Sequence, residues 1–161
     1  MSIVPSDLIT AYLDGPKLLR RVVAGMTRDQ LKARPIAGKW STLEVVGHLV
    51  DSEIAYVHRM RRVIAENRPL LIGYDETKFT ASLNYNLRDL DAELNLFDAL
   101  RTQMAFVLKN IPDIAWSRDG VHNERGIETL ADLVRIEADH VVHHIRTIND
   151  KRVALGLDRI D

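Results

Sequence analysis

Four long segments of the chain repeat their apolar side chains every three or four residues, the spacing that stacks them on one face of an α-helix. In the first, from about Ser6 to Val23, the shared side carries Leu8, Ile9, Tyr12, Leu19, Val22 and Val23. The "DGP" at 14–16 is expected to kink or restart that helix, because Pro16 has no N–H to give the ladder. The second opens at Ser41 or Thr42, where Ser41 and Glu44 make a capping box, and stops before Pro69. Its stripe is Leu43, Val46, Val50, Ile54, Val57 and Ile64. The third extends from about Leu87 to Asn110 through Leu90, Leu94, Phe97, Met104 and Leu108, and the fourth from about Glu128 to Lys151. Only short stretches such as "PLLIG" read as strand, so the expected class is all-α.

The connections set the topology. Helices two and three are joined by "NRPLLIGYDETKFTASLNYN", a link of about twenty residues that is long for a bundle loop. Such a link can cross the whole bundle and leave the two helices parallel. Within it, Asp75 is placed to cap a short extra helix reaching Ser82. Neither an internal repeat nor an interdomain linker interrupts the 161 residues, so a single domain is expected.

Charge and cysteine usage remove several classes of function. With 22 basic and 23 acidic side chains the net charge is -1, which gives no general attraction to nucleic acid or to a membrane surface. Cysteine is absent, so any metal must be held by His, Asp or Glu. The opening "MSIVPSDLIT" has neither a basic region nor an apolar run, and the cytoplasm is the expected location.

Three of the six histidines crowd into "ADHVVHHIRTI" at 138–148. At roughly 100° per residue, the apolar face of helix four is set by Leu130, Leu133, Val134, Ala138, Val141, Ile145 and Ile148. His144 falls roughly 60° from its centre, His140 roughly 100° and His143 roughly 160°, so His143 is expected to face solvent. His140 and His144 lie on adjacent turns of one flank, a spacing that suits two imidazoles converging on one ion. Val141 stands where a zinc-protease "HExxH" needs its glutamate, which disfavours that chemistry. Glu137 also faces inward, one turn before His140, and is a candidate to orient an imidazole or act as a base.

Three residues compete to be the third ligand. His58 sits in "HRMRR", where the cations are those a helix C-terminus favours; His122 lies in the link that leads into helix four. His48 lies off the main stripe of helix two, in a band with Glu44, Ser52 and Ala55 whose small members allow another helix to approach. Trp40, just before the Ser41 cap, has the position of a hydrophobic staple and is expected to pack rather than to stack on substrate.

"GKWSTLEVVGHLVDSE" at 38–53, "YDETKFTASLNYN" and "ETLADLVRIEADHVVHH" at 128–144 resemble the DinB-like superfamily, which includes the YfiT-type metal-dependent hydrolases. The resemblance implies a four-helix bundle with a long crossover between parallel middle helices. It also implies a three-histidine metal site at His48, His140 and His144, a divalent zinc or nickel ion, and dimerisation. Activities implied are hydrolysis or transfer of low-molecular-weight thiols such as bacillithiol; one branch resembles mycothiol-dependent maleylpyruvate isomerase. The expected protein is thus a metalloenzyme for a small-molecule substrate, with Glu137 and Glu44 as candidate catalytic or positioning carboxylates and no nucleic-acid or membrane partner. Its rival is a non-catalytic helical binding or dimerisation module with a vestigial metal pocket.

Overall fold

The computed structural model describes residues 5–160; the first four residues of the N-terminal segment lie outside them. Four long helices form the body: α1 (Pro5–Val23), α3 (Thr42–Ala65), α5 (Leu90–Lys109) and α6 (Leu130–Ala154). Two short ones sit in the links, α2 (Arg28–Lys32) and α4 (Glu76–Ser82). Caps fix the starts. Ser41 Oγ accepts from the Glu44 backbone N–H while the Glu44 carboxylate accepts from the Ser41 N–H, and Thr129 and Asp132 do the same for α6. Asp75 caps α4 through the Lys78 N–H, as the sequence suggests.

Helix directions follow from side-chain pairs. Asp51 meets Arg88, just ahead of α5, Glu53 meets Arg101 and Arg61 meets Gln103, numbers that rise together, so α3 and α5 are parallel neighbours. Ser52 meets Glu137 and His48 meets His140, numbers that run oppositely, so α3 and α6 are antiparallel. The bundle closes as a ring in the order α1, α5, α3, α6, with α1 and α3 on one diagonal. A parallel α3 and α5 require the segment between them to travel the length of the bundle, and residues 66–89 do so.

Two features depart from the sequence expectation. The chain is not purely helical: β1 (Leu70–Leu71) pairs in parallel with β2 (Asp119–His122), which pairs antiparallel with β3 (Gly126–Thr129). "PLLIG", a stretch that could be read as strand in a chain expected to be all-helical, supplies β1, whereas the 119–129 hairpin is too short and polar to show an alternating pattern. Second, α1 runs unbroken through Pro16. The lost ladder bond belongs to the Tyr12 carbonyl, and Arg101 Nη1 donates to it instead, at 2.8 Å. Smaller shifts occur at α5, which begins at Leu90 rather than Leu87, and at Ile54, which is half exposed rather than in the core.

Two apolar clusters fill the interior. One gathers Tyr12, Met60, Met104, Leu108, Leu130 and Leu133; the other gathers Leu19, Leu43, Leu49, Phe97, Val141 and Ile148. Between them, at the middle of the same helices, lies a buried polar layer of Glu53, Arg101 and Glu137.

Candidate metal centre

His48 reaches the bundle flank because α3 is covered on more than one side: Glu44, Val45, Gly47, His48, Leu49 and Ser52 are all buried. Close approach is built in at Gly47, where a Cβ would stand 2.7 Å from the Tyr85 ring. From α6, His140 and His144 meet His48 across the helix interface. His140 Nε2 is 3.0 Å from His48 Nε2 and 3.0 Å from His144 Nε2. The three residues offer nitrogens all within 4.8 Å of one another. His143 is exposed, its ring beside that of His144 but outside this cluster. Of the competing candidates, His58 is exposed, and His122 is buried on β2, where its Nδ1 accepts from the Glu124 N–H.

Burial keeps these imidazoles neutral. It pushes His140 down to about 3 and His144 down to about 2, with the neighbouring imidazoles adding to the effect. His48 is also lowered by burial, against an opposing pull from the Glu76 and Asp51 carboxylates. Neutral rings whose Nε2 atoms converge present lone pairs to one point, and a single proton cannot satisfy three of them. Three nitrogen donors of borderline softness are the donor set of zinc, nickel and their neighbours, so the residues fit a divalent ion. The far nitrogens of His140 and His144 are buried without a hydrogen-bond partner at normal distance.

Behind His140 the polar layer supplies support. Glu137, fully buried, accepts from Ser52 Oγ at 3.1 Å through the same Oε1 that stands 3.7 Å from His140 Nδ1. Burial and the neighbouring Glu53 push the Glu137 carboxyl up to about 8, against the pull of Arg101. Arg101 donates to Glu53 Oε2, to the Glu137 carbonyl and to the Tyr12 carbonyl, each at 2.8 Å, and the Tyr12 hydroxyl donates to Glu53. One guanidinium on α5 therefore ties α1, α3 and α6. Its signal in the sequence was an arginine inside the α5 stripe, between Phe97 and Met104, just as Glu53 interrupts the stripe of α3.

The other sequence candidates take different places. Glu44 is consumed by the Ser41 cap and by Arg34, whose Nε donates to it at 3.0 Å, so its contacts are those of a structural residue. Trp40 packs half-buried against the apolar cluster of Leu19, Leu43 and Phe97, as expected of a staple, and its ring centroid is also 5.1 Å from that of His48. Sequence reasoning passed over Glu76 at the start of α4, an exposed carboxylate 3.6 Å from His48 Nε2. A cavity of about 780 Å³ opens beside the histidines, lined by His48 and His140 at one end and by Tyr56, Arg59, Tyr74 and Arg125 farther along.

The profile of the DinB superfamily matches residues 11–148. The Oceanobacillus iheyensis protein OB0782 is 28% identical over 147 residues, 91% of this chain and 85% of its own, and is provisionally named a metal-dependent hydrolase. YfiT of Bacillus subtilis, provisionally named likewise, is 27% identical over 142 residues, 88% of this chain and 80% of its own. The solved structure of YfiT, described as a probable metal-dependent hydrolase with an unusual four-helix bundle topology, superposes with a TM-score of 0.91 at 25% identity, covering 98% of this chain and 92% of that one. A mycothiol-dependent maleylpyruvate isomerase shares the fold at a TM-score of 0.71 and 13% identity, over 88% of this chain and 59% of its own. Among the described residues no helix is long and apolar enough to cross a membrane. On the extent of the profile match and the four-helix architecture together, the chain belongs to the DinB superfamily.

Proposed function

We propose that the chain is a metal-dependent enzyme acting on a small molecule, with His48, His140 and His144 as the ligands of a zinc or nickel ion. The observation that carries this reading is the convergence of three neutral imidazoles, His48 buried and His140 and His144 half-buried, whose Nε2 atoms lie 3.0 Å apart in two successive pairs. When bound by three neutral ligands, a divalent ion lowers the pKa of a bound water or thiol, which is the shared first requirement of hydrolysis and thiol transfer. Glu137 holds the His140 ring from behind, facing its Nδ1 so that Nε2 turns toward the other histidines. Glu76 is the carboxylate placed to move a proton at the cavity mouth, being exposed and beside His48 Nε2. Glu44 keeps its cap and takes no part. The family resemblance adds a cytoplasmic homodimer to the reading, and sedimentation of the purified chain tests the dimer.

Zinc-loaded and nickel-loaded protein, assayed against ester panels and separately against electrophiles with low-molecular-weight thiols, tests the activity. Metal-dependent turnover in either arm is expected. Protein prepared without a histidine tag that takes up neither metal at micromolar concentration and turns over nothing supports the binding-module alternative instead.

A further inference from the structure

The cavity beside the histidines contains a buried cation with no acidic partner among the described residues. Arg59, on α3, is 4% exposed and lines that cavity. Its contacts are a hydrogen bond from Nη2 to the Ile72 carbonyl, at 2.7 Å, and the face of Tyr56, whose ring centroid lies 4.7 Å from the guanidinium carbon. The other buried arginines are spent: Arg101 on Glu53 and two carbonyls, Arg152 on three carbonyls. Among the described residues Nε and Nη1 of Arg59 make no hydrogen bond, and neither is sealed from solvent, so their hydrogens are open to a ligand in the cavity. Beside it the Tyr56 hydroxyl accepts from Arg125 Nη2 at 3.1 Å, leaving its own O–H free to donate. Arg125 is itself held by Glu128.

We propose that Arg59 and Tyr56 form an anchoring subsite for a carboxylate, so that the cavity takes an elongated monocarboxylate with its reacting group at the histidine end. What happens at that end rests on the metalloenzyme reading above; the anchor does not. His48, Ser52, Tyr56 and Arg59 follow one face of α3, and eleven residues at about 1.5 Å each put roughly 16 Å of helix between the first and the last. Side chains on a helix lean toward its N-terminus, so Arg59 leans back toward the histidines, over Tyr56. A ligand that touches both ends therefore needs several bonds between its carboxylate and its reacting group. Asp75, Glu76, Glu124 and Asp139 line the same cavity, and their field opposes a phosphate dianion more strongly than a singly charged carboxylate.

Three eight-carbon alkyl hydroxamates test this, alike at the hydroxamate end and finished with a carboxylate, a methyl or a phosphate group. Calorimetric titration into zinc-loaded and metal-free protein should show the carboxylate probe binding at least tenfold tighter than the methyl probe in both states. Arg59→Gln should abolish that preference and Tyr56→Phe should reduce it severalfold, with methyl-probe affinity unchanged. Should Arg59→Gln fail to fold by circular dichroism, Tyr56→Phe decides. Equal binding of carboxylate and methyl probes, or a preference that survives substitution, overturns the subsite; tighter binding of the phosphate probe overturns its assignment to a carboxylate. Zinc that adds no affinity for any probe, while the carboxylate preference persists, defeats the metalloenzyme reading and leaves the subsite standing.

Discussion

Arg101 supplies the hydrogen bond that Pro16 cannot make. Pro16 leaves the Tyr12 carbonyl free in the middle of α1, and Arg101 Nη1 donates to it at 2.8 Å. Gly15 makes room, because a Cβ there would collide with Arg101 Nη1 and come 3.5 Å from a Val141 methyl. Gly15→Ala is therefore expected to destabilise the protein by about 1–3 kcal/mol, as overpacking does. Removing the cation with Arg101→Met leaves the buried Glu53 with the Tyr12 hydroxyl but no cationic partner and is expected to cost about 3–5 kcal/mol. Urea unfolding followed by circular dichroism measures both.

The three histidines of α6 are expected to separate cleanly. His140→Ala and His144→Ala each remove one of the three proposed ligands and should weaken zinc binding by orders of magnitude, as should His48→Ala. His143→Ala, exposed and outside the cluster, should leave affinity within about twofold, the scale of a surface change. Competition titration against a chelator at one pH ranks the four; loss of binding in His143→Ala alone would falsify the assigned set.

Two glutamates, each flanked by polar partners, are expected to behave in opposite ways. Glu137→Gln keeps the shape but weakens the support of His140, and metal affinity should fall by about 10–100-fold. Glu44→Gln keeps the cap acceptor and loses the charge facing Arg34, so stability should fall by about 1 kcal/mol or less with metal affinity unchanged. Measuring affinity and unfolding on both proteins distinguishes a positioning role from a structural one.

Acid should destabilise the metal-free protein through these imidazoles. In the unfolded chain they take up protons as pH falls through about 6.5. In the folded protein, burial holds His140 near about 3 and His144 near about 2. The unfolded state binds more protons on these imidazoles across that window, so their contribution to stability is greatest above about 6.5 and declines as pH drops toward about 3. Replacing His140 or His144 with Gln should flatten the slope, which denaturant midpoints at a series of pH values will show.

The long helices, their caps and the His140/His144 pair were legible because each is set by local chemistry: period, hydroxyl caps, angular phase. His48 was harder, since its face on α3 is buried by neighbours that no single-helix periodicity reveals, and its pairing came from resemblance. The Glu53, Arg101 and Glu137 layer was readable only as polar residues interrupting apolar stripes. Arg59 read as one more cation at a helix C-terminus; its burial depends on the crossover, whose Ile72 carbonyl covers it.

His48 and His140 are 92 residues apart in sequence and touch only across the α3 and α6 interface. An ion shared by them would act as a removable crosslink closing most of the chain into a loop, which a chain-entropy estimate puts at about 4–5 kcal/mol for a permanent bond of that span. During synthesis no such bond can form until α6 has emerged and docked. Any ion held by both residues would therefore be captured only after those two helices have met.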